Sequence, residues 1–220
     1  MKIVNPWYNI PQNEPFVLPE DEKAIFNHNE KWKGKNYEIM LDVMPVPFSG
    51  DVFNSEIVIL MSNPKYDKGT KAKEDKHYKE KLMSVFKHEC KHFPFFGLDP
   101  NIQVGKGYWE PKLKQLLPFY KDWEGVSKIV SVIQYDPYSS KEFRHIKNLP
   151  SRDYTMHLVK KALERKAIII VARSKKLWLE LVDNLVDNFI TLNVARNATI
   201  SKGNCPKLFE ILNNPDRVKG

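Results

Sequence analysis

At 220 residues and 42% hydrophobic content, the chain has enough apolar side chains for one sizeable core and is short for two ordinary domains. Lys and Arg outnumber Asp and Glu by 35 to 27, a formal charge of +8, so a polyanion is a more natural partner than a cationic surface. Two cysteines, Cys90 and Cys205, are too few for a disulfide scaffold, a four-cysteine zinc site or an iron–sulfur cluster, and a reducing cytoplasm is the expected compartment.

Residues 1–44, rich in proline, asparagine and aromatics, read as an arm wrapped on a core of residues 45–213, the whole forming a single domain. A short helical patch is expected near Glu20 to Phe26. The N-terminus lacks the charged-then-apolar layout of a signal peptide, and the longest aliphatic run, "AIIIVA", has only the length of a strand, so no membrane crossing is expected. After "PVPFSGD", read as a turn, Glu56 to Met61 forms the first strand, continuous and β-branched as in a strand covered on both faces. Lys65 to Lys91 alternates charge with little apolar content and reads as a surface insertion or an exposed helix. An aromatic loop beginning "FPFFGLDP" leads to a helix over Trp109 to Leu117.

The second strand, "KIVSVIQ", stops at Gln134 before the polar loop "YDPYSSKEF". A helix follows, capped by Ser151, with Tyr154, Leu158, Val159, Ala162 and Leu163 on one face. The third strand, "AIIIVA", breaks at Arg173-Ser174 into the amphipathic "KKLWLELVDNLVDN". The fourth, "FITLNVA", runs into "RNATISKGNCP" and a last helix over Lys207 to Leu212. Strands alternating with helices imply right-handed crossovers, hence an α/β three-layer αβα sandwich around a mostly parallel four-stranded sheet. Ligands of such sheets bind beyond the carboxyl ends of the strands, and all four strands here end in polar loops.

Those loops carry a resemblance. "MSNPKYD" looks like a strand-ending Gly-x-Asp/Asn-Pro motif with Asn63-Pro64 as the pair, "RNATIS" occupies the place of a His-Pro-Ser-Pro-Leu-Ser loop, and "VSVIQ" is similar to a middle strand ending in a base-reading asparagine. Together, over about Pro45 to Leu212, they resemble the uracil-DNA glycosylase superfamily. Met61 stands where relatives have glycine, Lys65 where they carry Tyr or Gly, and the second loop has no histidine. The asparagine in the first motif resembles the mismatch-specific and single-strand-selective branches. The two-cysteine count excludes likeness to the cluster-bearing branches.

The resemblance implies a monofunctional glycosylase, free of metal and other cofactors, that flips uracil or a larger modified pyrimidine out of DNA and leaves an abasic site. Its setting would be DNA repair or defence against phage DNA with modified bases. A monomer is expected. Hydrolysing the N-glycosidic bond makes the sugar cationic and the departing base anionic, so a placed water is needed on one side and donors or a cation on the other. The Asn63 carbonyl would orient the water, and Arg196 or Asn197 would stabilise the base anion. Gln134 offers a donor and an acceptor for a pyrimidine's pairing edge. The base leaves the stack at a cost on the order of a few kcal/mol, and Tyr66 or Tyr135 would stack on it. Lys65, Ser139, Ser140, Arg173, Ser201 and Lys202 would contact DNA.

Each residue also has a plainer role. Gln134 can satisfy strand-end backbone groups, Arg196 and Lys65 can contact phosphate, and the tyrosines can simply pack. Lys65 also has the amine for a Schiff base. "HECKH" places His88, Cys90 and His92 at alternate positions, three ligands on one side if the segment is extended. Two rival functions stand beside the glycosylase: a non-catalytic nucleic-acid-binding protein of the same fold, and a nucleoside or nucleotide N-glycosidase.

Overall fold

The computed structural model describes residues 3–66, 69–196 and 198–214, the side chains of 72 and 73 excepted. Among these, five strands form one sheet: β1 (Phe48–Ser49), β2 (Ile57–Met61), β3 (Val130–Gln134), β4 (Ile168–Val171) and β5 (Ile190–Thr191), in the order β1-β3-β2-β4-β5. The helices are α1 (Glu22–Trp32), α2 (Thr70–Lys73), α3 (Lys76–Phe86), α4 (Glu110–Leu113), α5 (Leu117–Tyr120), α6 (Trp123–Ile129), α7 (Arg152–Glu164), α8 (Lys175–Leu181) and α9 (Pro206–Leu212). The fold is therefore α/β with a mixed sheet. Pairing is parallel between β2 and β3, β2 and β4, and β4 and β5, so these four strands deliver their carboxyl ends to one edge.

The sheet has five strands rather than the expected four, and one runs antiparallel. Phe48 and Ser49 sit in the stretch read as a turn, yet they pair antiparallel with Ile133 and Val132. Gly50 makes this approach possible. Its φ is +95°, and a Cβ there would lie 2.5 Å from the Val130 carbonyl oxygen. A two-residue strand between prolines and a glycine carries no readable alternation.

Side-chain alternation along β2 divides the core. Val58 and Leu60 join a cluster containing Trp7, Leu18, Ile25, Leu82, Val159 and Trp178, whereas Ile57, Ile59 and Met61 join Leu113, Leu116, Val126, Leu208 and Leu212. Helices thus cover both faces, and every residue of β2 is buried. The N-terminal arm contributes Trp7 and Leu18, each at 0% exposure, to the first cluster. α1 begins near the expected place and runs on to Trp32.

Three helical expectations need correction. The charged segment after Lys65 contains α3, which is no exposed helix: Tyr78, Leu82, Val85 and Phe86 are buried along one side. The helix expected over Trp109 to Leu117 is broken into α4, a 3-10 turn at Lys114–Leu116 and α5, with prolines at the starts of α4 and α5. Ser151 precedes α7 without a side-chain capping bond; its backbone N–H instead donates to Asp21 Oδ1 at 2.9 Å. β5 is also shorter than its apolar run. Beyond Thr191 the chain turns to residues 203–204, where Asn193 N–H donates to the Asn204 carbonyl at 2.9 Å and Val194 N–H to Asn204 Oδ1 at 2.6 Å.

Candidate functional site

The carboxyl ends of β2 and β3, with β1 and the loop carrying residues 95–109, enclose a cavity of about 260 Å³. Its walls are strongly aromatic, formed by Phe48, Phe95, Phe96, Tyr108 and Trp109. Trp109 packs edge-on against both Phe95 and Tyr108, with centroids 5.1 Å apart in each pair. Gly97 leaves it room, since a Cβ at that position would come within 2.5 Å of Trp109 Cδ1. At ~30 Å³ per liquid water the space matches roughly nine waters, the scale of a single base rather than a large cofactor.

Asn63 lies just past β2 on the cavity wall, and its amide orientation is dictated by its neighbours. Asn63 Nδ2 donates to Ser140 Oγ at 2.9 Å and to the Tyr138 carbonyl at 3.4 Å. A carbonyl can only accept, and Ser140 Oγ spends its own proton on the Glu142 carbonyl at 2.8 Å, so the nitrogen must face both. Asn63 Oδ1 is left without a bond among the described residues. The backbone reinforces the clamp: Lys65 and Ser140 form a parallel bridge, and Tyr66 N–H donates to the Ser140 carbonyl at 3.0 Å.

Gln134 and Ser49 also line the cavity, and each carries a buried oxygen, Gln134 Oε1 and Ser49 Oγ, that is unpartnered among the described residues. The two residues are 7% and 4% exposed. Burying such groups without a bond costs about 1–3 kcal/mol each. The Gln134 backbone is satisfied independently, its N–H donating to the Pro47 carbonyl at 2.9 Å. Its side chain is thus not occupied with strand-end groups.

The other sequence-derived residues fall in different places. Lys65 lines the cavity as an exposed rim residue and is the one cation among the described lining residues. Tyr66 lies outside the lining, its hydroxyl 3.5 Å from Asp42 Oδ2. Tyr135 is also outside it, packed edge-on against Trp178 at 5.2 Å, with the Arg152 guanidinium 4.6 Å from its ring centroid. Ser139 and Ser140 are 3% and 2% exposed, so their hydroxyls face protein, Ser140 in the role of clamping Asn63. Arg196 is exposed and off the cavity, and its carbonyl accepts a hydrogen bond from Arg173 Nη2. Asn197 lies outside the described residues. Ser201 holds the turn before α9, its Oγ accepting from Asn204 N–H at 3.2 Å, while the exposed Lys202 gives its N–H to Gln115 Oε1 at 2.7 Å.

The switch point of this strand order falls between β2 and β4, yet the cavity opens over β2 and β3. The β2/β4 gap is bridged by Ser62 Oγ and Ser174 Oγ, 2.7 Å apart. "HECKH" does not gather its ligands. His88 has φ +58°, which breaks an extended alternation, and its ring stacks on Phe48 at 5.2 Å while bonding the Tyr154 hydroxyl at 2.9 Å. His92 sits at the surface, 3.3 Å from Glu124 Oε1. Among the described residues no group of three or more His, Cys, Asp or Glu is placed to hold a metal ion, and no helix is long and apolar enough to cross a membrane.

Sequence reasoning passed over Ser49, Tyr108 and Trp109. Aromatic density in "FPFFGLDPNIQVGKGYWE" was the available signal for the wall; nothing local marked Ser49. No family model matches the chain, and no curated protein or solved structure gives a significant match.

Proposed function

We propose that this protein is a DNA glycosylase with the three-layer αβα sandwich of the uracil-DNA glycosylase type, hydrolysing the bond between deoxyribose and a flipped pyrimidine. The observation that carries the reading is the clamped Asn63 amide with its Oδ1 left free, on the wall of an aromatic cavity that Gln134, with an unpartnered Oε1, also lines. Asn63 Oδ1 accepts a hydrogen from water and aims the water oxygen at the anomeric carbon. The C–O bond forms as the C–N bond breaks, the bonding pair leaves with the base, and the water's proton goes to the base or to solvent. Asn63 itself never holds that proton. DNA phosphates offset the cationic sugar, and Lys65 replaces Arg196 as the cation nearest the departing base.

Gln134 and Ser49 read the polar edge of the base, while the aromatic walls bind its faces. The absence of a second-loop histidine favours one rival, a protein of this fold that binds nucleic acid without cleaving the glycosidic bond. Oligonucleotides carrying a panel of modified bases, incubated with protein and analysed by mass spectrometry for free base, separate the two. Asn63→Ala is expected to lower base release by ~10²–10³-fold while DNA binding persists. Release at the wild-type rate would remove Asn63 from the mechanism, and no release from any substrate would favour the binding protein.

A further inference from the structure

A second concavity, of about 590 Å³, lies between α1 and the loop that follows β3. Lys23, Lys31, Arg144 and Lys147 line it, against the single carboxylate of Glu20. Among the described residues none of these four cations makes an ion pair. All four are exposed, so solvent screens their mutual repulsion, but together they give the groove a positive potential that attracts anions.

Arg144 is more than an exposed cation. Its guanidinium lies 4.2 Å from the Trp32 ring centroid and 4.7 Å from that of Tyr37, with Lys31 Nζ 5.3 Å from Trp32 as well. The two rings meet edge-on at 79°, so the guanidinium sits in the corner they form, held near both, while no hydrogen bond among the described residues occupies its N–H groups, which leaves them for a phosphate. The local potential is felt by neighbouring groups. Burial, then Arg144 and Lys31, holds the His28 imidazole below its usual range; burial, then Arg152 and Lys147, does the same for His145.

The chain connects this groove to the cavity. The segment that leaves Gln134 supplies Ser140 to the Asn63 clamp and then Arg144 and Lys147 to the groove. On its other side, Asn36 Nδ2 donates to Glu142 Oε1 at 2.8 Å and Met40 N–H to the Ser139 carbonyl at 2.9 Å, tying the stretch after α1 to the same segment.

We infer that the groove between α1 and residues 144–148 binds the sugar-phosphate backbone of the nucleic acid whose base enters the cavity, with Arg144 as the phosphate fork. This assignment rests on the glycosylase reading for the identity of the polyanion. A concave, aromatic-backed channel favours a strand over a flat lipid surface.

The test uses the full-length protein, a fluorescent single-stranded oligonucleotide and anisotropy measured across a salt series. Lys23→Gln with Lys147→Gln removes two exposed cations that make no ion pair or hydrogen bond among the described residues, so folding is preserved; Arg144→Gln is the second variant, with a thermal melt as control. At ~0.7 released counterions per contact on a single strand, the double variant is expected to reduce the salt slope by ~1.4 and to bind roughly tenfold more weakly at low salt. An unchanged slope in both variants overturns the groove, whatever happens to base release. Loss of slope in a protein that releases no base keeps the groove and sinks the glycosylase reading. Wild-type protein that ignores oligonucleotides but binds phosphatidylserine vesicles, with that binding lost in the variants, overturns the nucleic-acid assignment in favour of a membrane surface.

Discussion

At the scale of single residues, Gln134 poses the sharpest conflict between stability and use. Its Oε1 is buried and unpartnered, a position where an apolar side chain of similar size would cost nothing. Gln134→Leu is therefore expected to stabilise the free protein by ~1 kcal/mol, seen as a higher Tm, and, on the proposed glycosylase reading, to abolish discrimination among bases. A lowered Tm would mean that the amide is held by the protein and is not waiting for a ligand. Asn63 contrasts with it, because Ser140 and the Tyr138 carbonyl fix one end of its amide and leave the other open. The sequence made Asn63 and Gln134 legible because both follow strong apolar runs, where a polar side chain has no local reason to be. Ser49 was not legible, since its burial arises from β1 pairing across the sheet with residues far away in the chain.

At the scale of elements, the four parallel strands were readable to within about two residues, except β5, whose apolar run continues after the strand has ended. The miss at α3 has the same origin as most others. Three lysines and one glutamate interleave with its buried stripe of Tyr78, Leu82, Val85 and Phe86, and the charged residues on either side of the helix hide that stripe within the segment's composition. Just before α3, Glu74 accepts the Met44 N–H on both oxygens, at 2.9 and 3.1 Å, anchoring the stretch that carries Thr70 to the cavity rim. Burial, only partly offset by the Met44 N–H, pushes its carboxyl from 4.5 up to about 7. The folded state thus holds the proton more tightly than the unfolded chain, so this contribution is full below pH 4.5 and is lost as pH rises through 7. Glu74→Gln is expected to flatten the pH dependence of Tm across that window. At pH 8 it should gain ~1–2 kcal/mol, less than the full shift would give because the site is partly screened by solvent. Chemical denaturation at pH 5 and pH 8 checks it; an equal change at both would dismiss the titration.

At the scale of the whole molecule, the arm, the sheet and α7 are joined by a buried polar network. Asp21 takes hydrogen bonds from the Tyr138 hydroxyl at 2.8 Å and from Ser151 N–H at 2.9 Å, and Tyr138 in turn accepts the Leu18 N–H at 3.1 Å. Beside it, Arg152 bonds Asp136 Oδ1 at 2.5 Å and the Ile146 carbonyl at 2.6 Å. Asp136 is 1% exposed, and burial outweighs Arg152 enough to raise its carboxyl to about 6. Arg152→Leu would strand that carboxylate and is expected to cost ~3–5 kcal/mol at pH 8. The loss should shrink at pH 5, because a raised carboxyl takes up its proton as pH falls and no bare charge then remains inside. Urea denaturation of both proteins at the two pH values measures it, and a cost independent of pH would assign the damage to lost packing.

The two-residue length of β1 and of β5 has one more effect. These are the outer margins of the sheet, and each offers an approaching chain only a stub of free amides and carbonyls. A second copy cannot add itself as a sixth and seventh strand on so short a template, so the sheet is guarded against growing from its flanks into fibres.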